Sequence, residues 1–278
     1  MADSLPKIHG DHMMMNQENR DRSALIILAH PERHSFNGFL ADRVATTFYD
    51  LGISASIADL YREHFDPVEG PQHYLVRRSL DRFIVMTEQR NSSAEGQFPN
   101  GIASELARVR KADLVIFQFP MWWYGPPAIL KGWFDRVMLC GETYSSEQRY
   151  DRGVFRARNA MLSVTTGSPR DVFSPGRDGD IDFYLWPIHF TLYYLGFTVW
   201  PAHVCYGIRG NSPPDRSSNE YRKLIATADA LSQHVTNVVN RESISPMAFN
   251  GWDDWDSGGR LRPTAEIKFP FSKVPPSF

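Results

Sequence analysis

The stretch from Asp113 to Val137, DLVIFQFPMWWYGPPAILKGWFDRV, sets the tightest limit on how this chain folds. Leu114 to Phe119 is apolar except for Gln118 and rich in β-branched and aromatic side chains. A run that short, and apolar on both faces, fits a central strand of a parallel sheet. Pro120 breaks it, and Gly125, Pro126 and Pro127 keep the next residues out of strand or helix until Ala128. Ile129, Leu130, Trp133, Phe134 and Val137 then recur at helical spacing. The order is strand, aromatic loop, helix. In open α/β sheets, ligands bind in the crevice outside the carboxyl ends of the strands. Trp122, Trp123 and Tyr124 sit side by side in that loop, where packing of regular elements does not account for all three. They either cap the core or a subunit contact, or offer a ring to a planar partner.

The same alternation recurs along the chain. Ser23 to Ala29 (SALIILA) reads as a buried strand that runs into HPERHSFNGF. Pro31 ends it, Ser35 or Asn37 can cap a helix, and Leu40, Val44, Phe48 and Leu51 give that helix its buried face. Strand, short polar loop and helix N-terminus is a phosphate-binding geometry, because free N–H groups and the helix dipole point into the loop. ISASIADL, from Ile53, alternates as a second strand. Residues 61–100 are the least legible, and a short helix over Ser104–Lys111 leads into Asp113. Ala160 to Thr165 is strand four, followed by TTGSPRDVF, in which Thr165, Thr166, Gly167 and Ser168 are small enough for backbone amides to approach a ligand. Phe197–Gly207 reads as strand five and Glu220–Val239 as the last helix. Residues 1–22 read as a flexible tail and 23–242 as one domain. Periodicity is lost over 243–278, an aromatic, proline-containing extension expected to wrap the body or a partner subunit.

A chain of 278 residues, 42% hydrophobic and 22% charged, can bury a sizeable core. Its net charge of −2 creates no field for nucleic acid. Two cysteines, Cys140 and Cys205, without metal-like spacing, suit a reducing cytoplasm. No run is long enough to enter a bilayer as a spanning helix, and no metal site is read.

The segment QFPMWWYGPPAILKGWFDRV resembles the loop-and-helix signature of the NAD(P)H:quinone oxidoreductases of the DT-diaphorase type, which are flavodoxin-like flavoproteins. LAHPERHSFN and the TTG loop resemble the same family. The resemblance implies a flavodoxin-like doubly wound parallel five-stranded sheet, order 2-1-3-4-5, with a C-terminal extension. It implies FAD, with FMN as the alternative, and assigns cofactor contacts to His30, Ser35, Phe36 and Asn37, then Pro120, Met121, Trp122, Trp123 and Tyr124. The Thr165–Ser168 loop would aim donors at the flavin ring edge, and Arg216, or in its place Arg222, would reach the distal nucleotide. Tyr144, Phe173 and Asp178 fall at the substrate pocket, Tyr144 by contribution across a homodimer interface.

The implied reaction is two-electron hydride transfer from NAD(P)H to a quinone with ping-pong kinetics. Nitroaromatic, azo, chromate or free flavin acceptors are alternatives, as is a flavin-bound regulatory subunit of a membrane transporter. A one-electron flavodoxin fits less well, since such carriers are short and acidic. The chain also departs from the family. A tyrosine and a histidine after the TTG loop, proposed there to relay charge, are replaced by Phe173 and, near the second position, Asp178. No catalytic side chain is therefore assigned.

Overall fold

The computed structural model describes residues 22–99, 101–209 and 217–268. The 1–22 tail, apart from Arg22, and Arg216 lie outside the described residues.

Each buried run becomes a strand. β1 (Ser23–Leu28), β2 (Ser54–Asp59), β3 (Leu114–Pro120), β4 (Asn159–Thr165), β5 (Thr198–Val199) and β6 (His203–Cys205) form one sheet. Its order is β2-β1-β3-β4-β5, with every pair parallel, and β6 pairs with β4 beyond β5. The expected fifth strand over 197–207 is thus two short segments on one edge of β4. Pro201 accounts for the break, because it has no N–H for the ladder. The Trp200 N–H still reaches the Ala160 carbonyl at 2.9 Å, and pairing resumes at His203.

β3 is buried along its whole length between β1 and β4. Alternate residues of β1 enter opposite cores: Leu25 and Ile27 one, Ala24, Ile26 and Leu28 the other. The first core is closed by α3 (Ile102–Lys111), α4 (Ala128–Val137) and α5 (Ile181–Leu195). The second is closed by α1 (Phe36–Asp50) and α6 (Asn219–Asn240). A further helix, α2 (Val85–Glu95), occupies the segment that sequence patterning left unread. Ser35 caps α1 by accepting the Gly38 N–H at 3.3 Å. Gly38 itself is required by packing, since a Cβ there would lie 1.9 Å from the Arg33 carbonyl oxygen.

The described part of the extension lies on α5 and the β5 edge. The Met247 N–H donates to the Val199 carbonyl at 2.8 Å, and Phe249 stacks on Tyr193 at 4.3 Å between ring centres. The Trp252 indole N–H donates to the Arg149 carbonyl at 2.9 Å, with the Arg149 and Arg152 guanidinium groups over its ring. Cation–π contacts of this kind hold an irregular segment without a ladder.

His189 on α5 is 1% exposed, and neither ring nitrogen has a partner among the described residues. Burial pushes its pKa down from 6.5 to about 4. Between those values the unfolded chain binds a proton that the folded chain does not, so stability falls as pH drops through that window. His189→Leu removes both stranded nitrogens at similar volume. Denaturant unfolding at neutral and mildly acidic pH should show stability at neutral pH unchanged or raised, and the acid-induced loss smaller by about 1–3 kcal/mol. A variant with the parent's pH slope would locate the acid sensitivity elsewhere, for instance in His203 and His234, which burial also depresses.

Candidate functional site

Three loops leave the carboxyl ends of β1, β3 and β4, and one buried network joins them. Gln118 interrupts the apolar run of β3 and is fully buried. Its side-chain amide donates to the Asn37 Oδ1 at 2.8 Å, and the Asn37 amide donates to the Thr165 Oγ1 at 3.0 Å. Asn37 lies in the first turn of α1, Gln118 belongs to β3 and Thr165 ends β4. The network therefore ties the far end of the first loop to the starts of the other two. Two backbone bonds reinforce it: the Ala29 N–H to the Gln118 carbonyl at 3.0 Å, and the Met121 N–H to the Thr165 carbonyl at 2.8 Å.

Above the network, the His30 Nδ1 lies 3.0 Å from both the N–H and the carbonyl oxygen of Glu32, which holds its ring at the strand end. That ring meets Trp122 at 6.1 Å between centres, bridging the first and second loops. The N–H groups of Phe36 and Asn37, in the first turn of α1, have no acceptor among the described residues. They remain available to an anion.

The aromatic loop is a tight turn. Trp122 and Gly125 exchange both backbone hydrogen bonds, at 2.9 and 3.1 Å, and the two residues between them have positive φ, 51° at Trp123 and 60° at Tyr124. Two successive left-handed residues make a turn that normally selects Asn-Gly, and bulky side chains there cost of order 1–3 kcal/mol each. The result is a presented ring: Trp123 is 97% exposed and touches no core residue. Tyr124 turns the other way, packing on Tyr184 at 4.8 Å and donating its hydroxyl to the Asp178 carboxylate at 3.4 Å. The adjacent carboxylate pushes the Tyr124 phenol pKa up.

In the TTG loop, two of the proposed backbone donors are already engaged. The Thr166 N–H donates to the Cys205 carbonyl at 2.9 Å, and the Ser168 N–H to the Thr166 hydroxyl at 3.2 Å. The Gly167 N–H has no partner among the described residues, and the space beside its Cα is open, the nearest atom to an added Cβ being the Ile208 carbonyl oxygen at 3.7 Å. Phe173 lies against Tyr206 at 5.8 Å and Tyr184 at 6.4 Å. The Tyr184 hydroxyl donates to the Asp178 carbonyl.

The structure thus brings together His30, Ser35, Phe36, Asn37, the Pro120–Tyr124 loop, Thr165–Ser168, Phe173 and Asp178. Tyr144 is not among them. It packs on Tyr194 at 5.5 Å, pairs with Cys140, and burial raises its pKa to about 12. Three members of the site were not singled out from the sequence. Gln118 carried a signal, a polar residue inside a central strand, whereas Tyr184 and Tyr206 carried none beyond being aromatic. Two cavities, of 450 and 640 Å³, lie beneath the C-terminal extension and are lined by none of the residues of the three loops.

An open N–H beside a glycine, uncommitted donors at a helix N-terminus and an unpacked aromatic ring together fit a ligand that is planar at one end and anionic further along. A flavin nucleotide has that form.

The chain matches the family described as flavodoxin-like fold over residues 22–228. It is 39% identical over 197 residues to NAD(P)H dehydrogenase [quinone] 1 of Cavia porcellus, covering 70% of this chain and 71% of that protein. It is 33% identical over 226 residues to the ribosyldihydronicotinamide dehydrogenase [quinone] of Pongo abelii, covering 80% and 94%. A solved structure from Klebsiella pneumoniae, described as a quinone reductase, superposes with a TM-score of 0.76 at 29% identity, covering 87% of this chain and 94% of that one. With its sheet order of 2-1-3-4-5, its strand-end loops and these relatives, the chain belongs to the NAD(P)H:quinone oxidoreductase family of flavodoxin-like proteins.

Proposed function

We propose that this protein is a flavin-dependent NAD(P)H oxidoreductase that moves two electrons as hydride from NAD(P)H through FAD to a quinone-type acceptor. The observation that carries the reading is the strained Trp123–Tyr124 turn, which presents a bare indole on a loop whose Met121 N–H is bonded to the Thr165 carbonyl at the start of the TTG loop. The names of the Cavia porcellus and Pongo abelii relatives support the donor and acceptor classes. FMN is the second cofactor choice, favoured by a fold-level neighbour from Treponema denticola solved in complex with FMN. The two free thiols, Cys140 and Cys205, agree with a cytoplasmic location.

Bound flavin supplies reversible hydride chemistry. The chain's own residues bind, orient and tune. Phe36 and Asn37 offer N–H groups to a phosphate, helped by the α1 dipole. Trp122 and Trp123 offer ring faces, and Pro120 and Met121 offer backbone along the same edge. The Gly167 N–H is a preorganised donor toward charge that develops on a ring edge. Phe173 is a pocket wall, because its ring has no proton to give. Asp178 is oriented by Tyr124 and sits beside Tyr184. No separate dinucleotide fingerprint is present, so donor and acceptor share one pocket in turn. Exposed Phe183 and Phe190 on α5 support a homodimer, with Tyr144 serving the partner's site. Arg216 retains its assignment to the distal nucleotide.

Steady-state kinetics test the reaction: NAD(P)H and a soluble quinone should give parallel double-reciprocal lines. Intersecting lines would require both substrates on the protein at once. Turnover much faster with nitroaromatic, azo, chromate or free flavin acceptors would move the acceptor class. Copurification of an inactive flavoprotein with a transporter would favour the regulatory reading.

Trp123→Ala should leave unfolding unchanged, since the ring touches no core residue, yet weaken flavin binding about ten- to a hundredfold, as expected for a lost stacked surface of about 1–3 kcal/mol. Equilibrium titration of the apoprotein measures it, and unchanged affinity would assign the indole to a subunit contact.

Phe173→Tyr should change the rate of flavin reduction in stopped flow by less than about tenfold, or about 1.4 kcal/mol. A larger acceleration would show that the missing phenol limits the enzyme.

A further inference from the structure

The loop after β4 brings a fixed negative charge to the rim of the crevice. Asp178 is half-buried, and its backbone is held at both ends: its N–H donates to the Val172 carbonyl at 3.3 Å, and its carbonyl accepts the Tyr184 hydroxyl. Its carboxylate meets the aromatic loop, where Oδ2 accepts the Tyr124 hydroxyl at 3.4 Å and Oδ1 has no partner among the described residues. No ion pair neutralises it among the described residues. Arg177 next to it is exposed, and the Arg170 guanidinium lies 5.9 Å from the centre of the Tyr206 ring. Against these two arginines, residues 170–182 hold four aspartates, of which Asp180 caps α5 by accepting the Asp182 N–H at 3.0 Å.

Around that charge stand rings and no ready acid. Phe173 meets Tyr206 at 5.8 Å and Tyr184 at 6.4 Å, and Tyr184 meets Tyr124 at 4.8 Å. Aromatic faces and a carboxylate both attract positive charge. Phe173 has no proton to give, and the Tyr124 and Tyr184 hydroxyls both donate to Asp178. Burial pushes the Tyr206 phenol pKa up, so it releases its proton less readily than an ordinary phenol. This matters for the reaction. A neutral quinone that takes a hydride becomes an anion until a proton reaches its oxygen, and a carboxylate beside it opposes that anion. A cationic ring needs no proton. One bond forms to the hydride, a ring π pair moves onto the positive nitrogen, and the product is neutral, while NAD(P)H is oxidised to NAD(P)+.

We infer that Asp178 makes the crevice selective by charge among planar acceptors, favouring a cationic ring such as an iminium or azinium dye over an anionic one. The carboxylate attracts the cation, the neighbouring rings offer it π faces, and the hydride cancels its charge without a donor on this wall. Neutral quinones still react, with water as their proton source. The inference rests on the hydride transfer proposed above and names the acceptor charge that this chain's own wall prefers.

The first measurement needs no turnover: equilibrium dialysis of the protein as purified with N-methylquinolinium and with naphthalene sulfonate, two bicyclic rings of opposite charge. The parent should bind the cation at least about tenfold more tightly, and added salt should narrow the gap. Asp178→Asn keeps the side chain's size and an oxygen for the Tyr124 hydroxyl, and should remove most of the gap. Tyr124→Phe, which keeps the ring and the carboxylate, should retain it. The second measurement is steady-state reduction of a phenothiazinium dye and of naphthoquinone sulfonate, corrected for the enzyme-free rate. The ratio of their kcat/KM values should fall at least about tenfold in Asp178→Asn, about 1.4 kcal/mol. A changed flavin potential acts on both acceptors and largely cancels in that ratio. Both variants should keep the parent's circular dichroism. Equal binding of the two rings by the parent, or a gap and a ratio that survive Asp178→Asn, would overturn the inference. A colourless, inactive protein would fail the flavin reading alone, and the dialysis gap would still decide the role of Asp178.

Discussion

The buried hydrogen bonds among Asn37, Gln118 and Thr165 decide where the candidate site can be. Each of these side chains is nearly or wholly withdrawn from water. An unpaired polar group there would cost about 1–3 kcal/mol, so the three are stable only together. Because they come from α1, β3 and β4, their mutual satisfaction sets the far end of the first loop against the origins of the other two. The sheet supplies rigidity, and the network converts it into registration of the loops. The Gln118 Oε1 has no partner among the described residues, so the set has an acceptor in reserve at the base of the site.

On that base the chain spends stability on display. Placing Trp123 and Tyr124 in left-handed conformations works against their intrinsic preferences, and the Trp122–Gly125 backbone pair holds them there. One ring is turned outward and one inward. The inward ring, with Tyr184, Tyr206 and Phe173, forms the wall that includes Asp178. Neither Phe173 nor the engaged Tyr124 hydroxyl is a ready proton donor, whereas the Gly167 N–H has no partner among the described residues.

The legible parts of the sequence were those governed by local rules. Short, mainly apolar runs gave β1, β3 and β4, and helical spacing gave α1, α4 and α6 to within a residue or two. Ser35 was readable as a cap because capping depends on one side chain and its next turn. The break at Pro201 was also in principle readable, since a residue without an N–H weakens any strand drawn through it. Long-range pairing was not readable. Nothing near Asn37 in the chain announces Thr165, and nothing in WWYG specifies two positive φ angles. Residues 61–100 resisted because their order comes from contacts such as Glu88 with the Arg78 backbone, which have no periodicity. The resemblance identified the loops, and the structure distinguished committed donors from free ones within them.

The most direct measurement is to release and identify the cofactor of the protein purified without added flavin. Absorbance of the intact protein, followed by chromatography of the denatured extract, should reveal FAD in equimolar amount, bleached in the native protein by NAD(P)H. FMN in its place would keep the site and reassign the distal nucleotide contacts. A colourless protein whose apo form takes up neither FAD nor FMN would contradict the assignment of the three strand-end loops to a flavin.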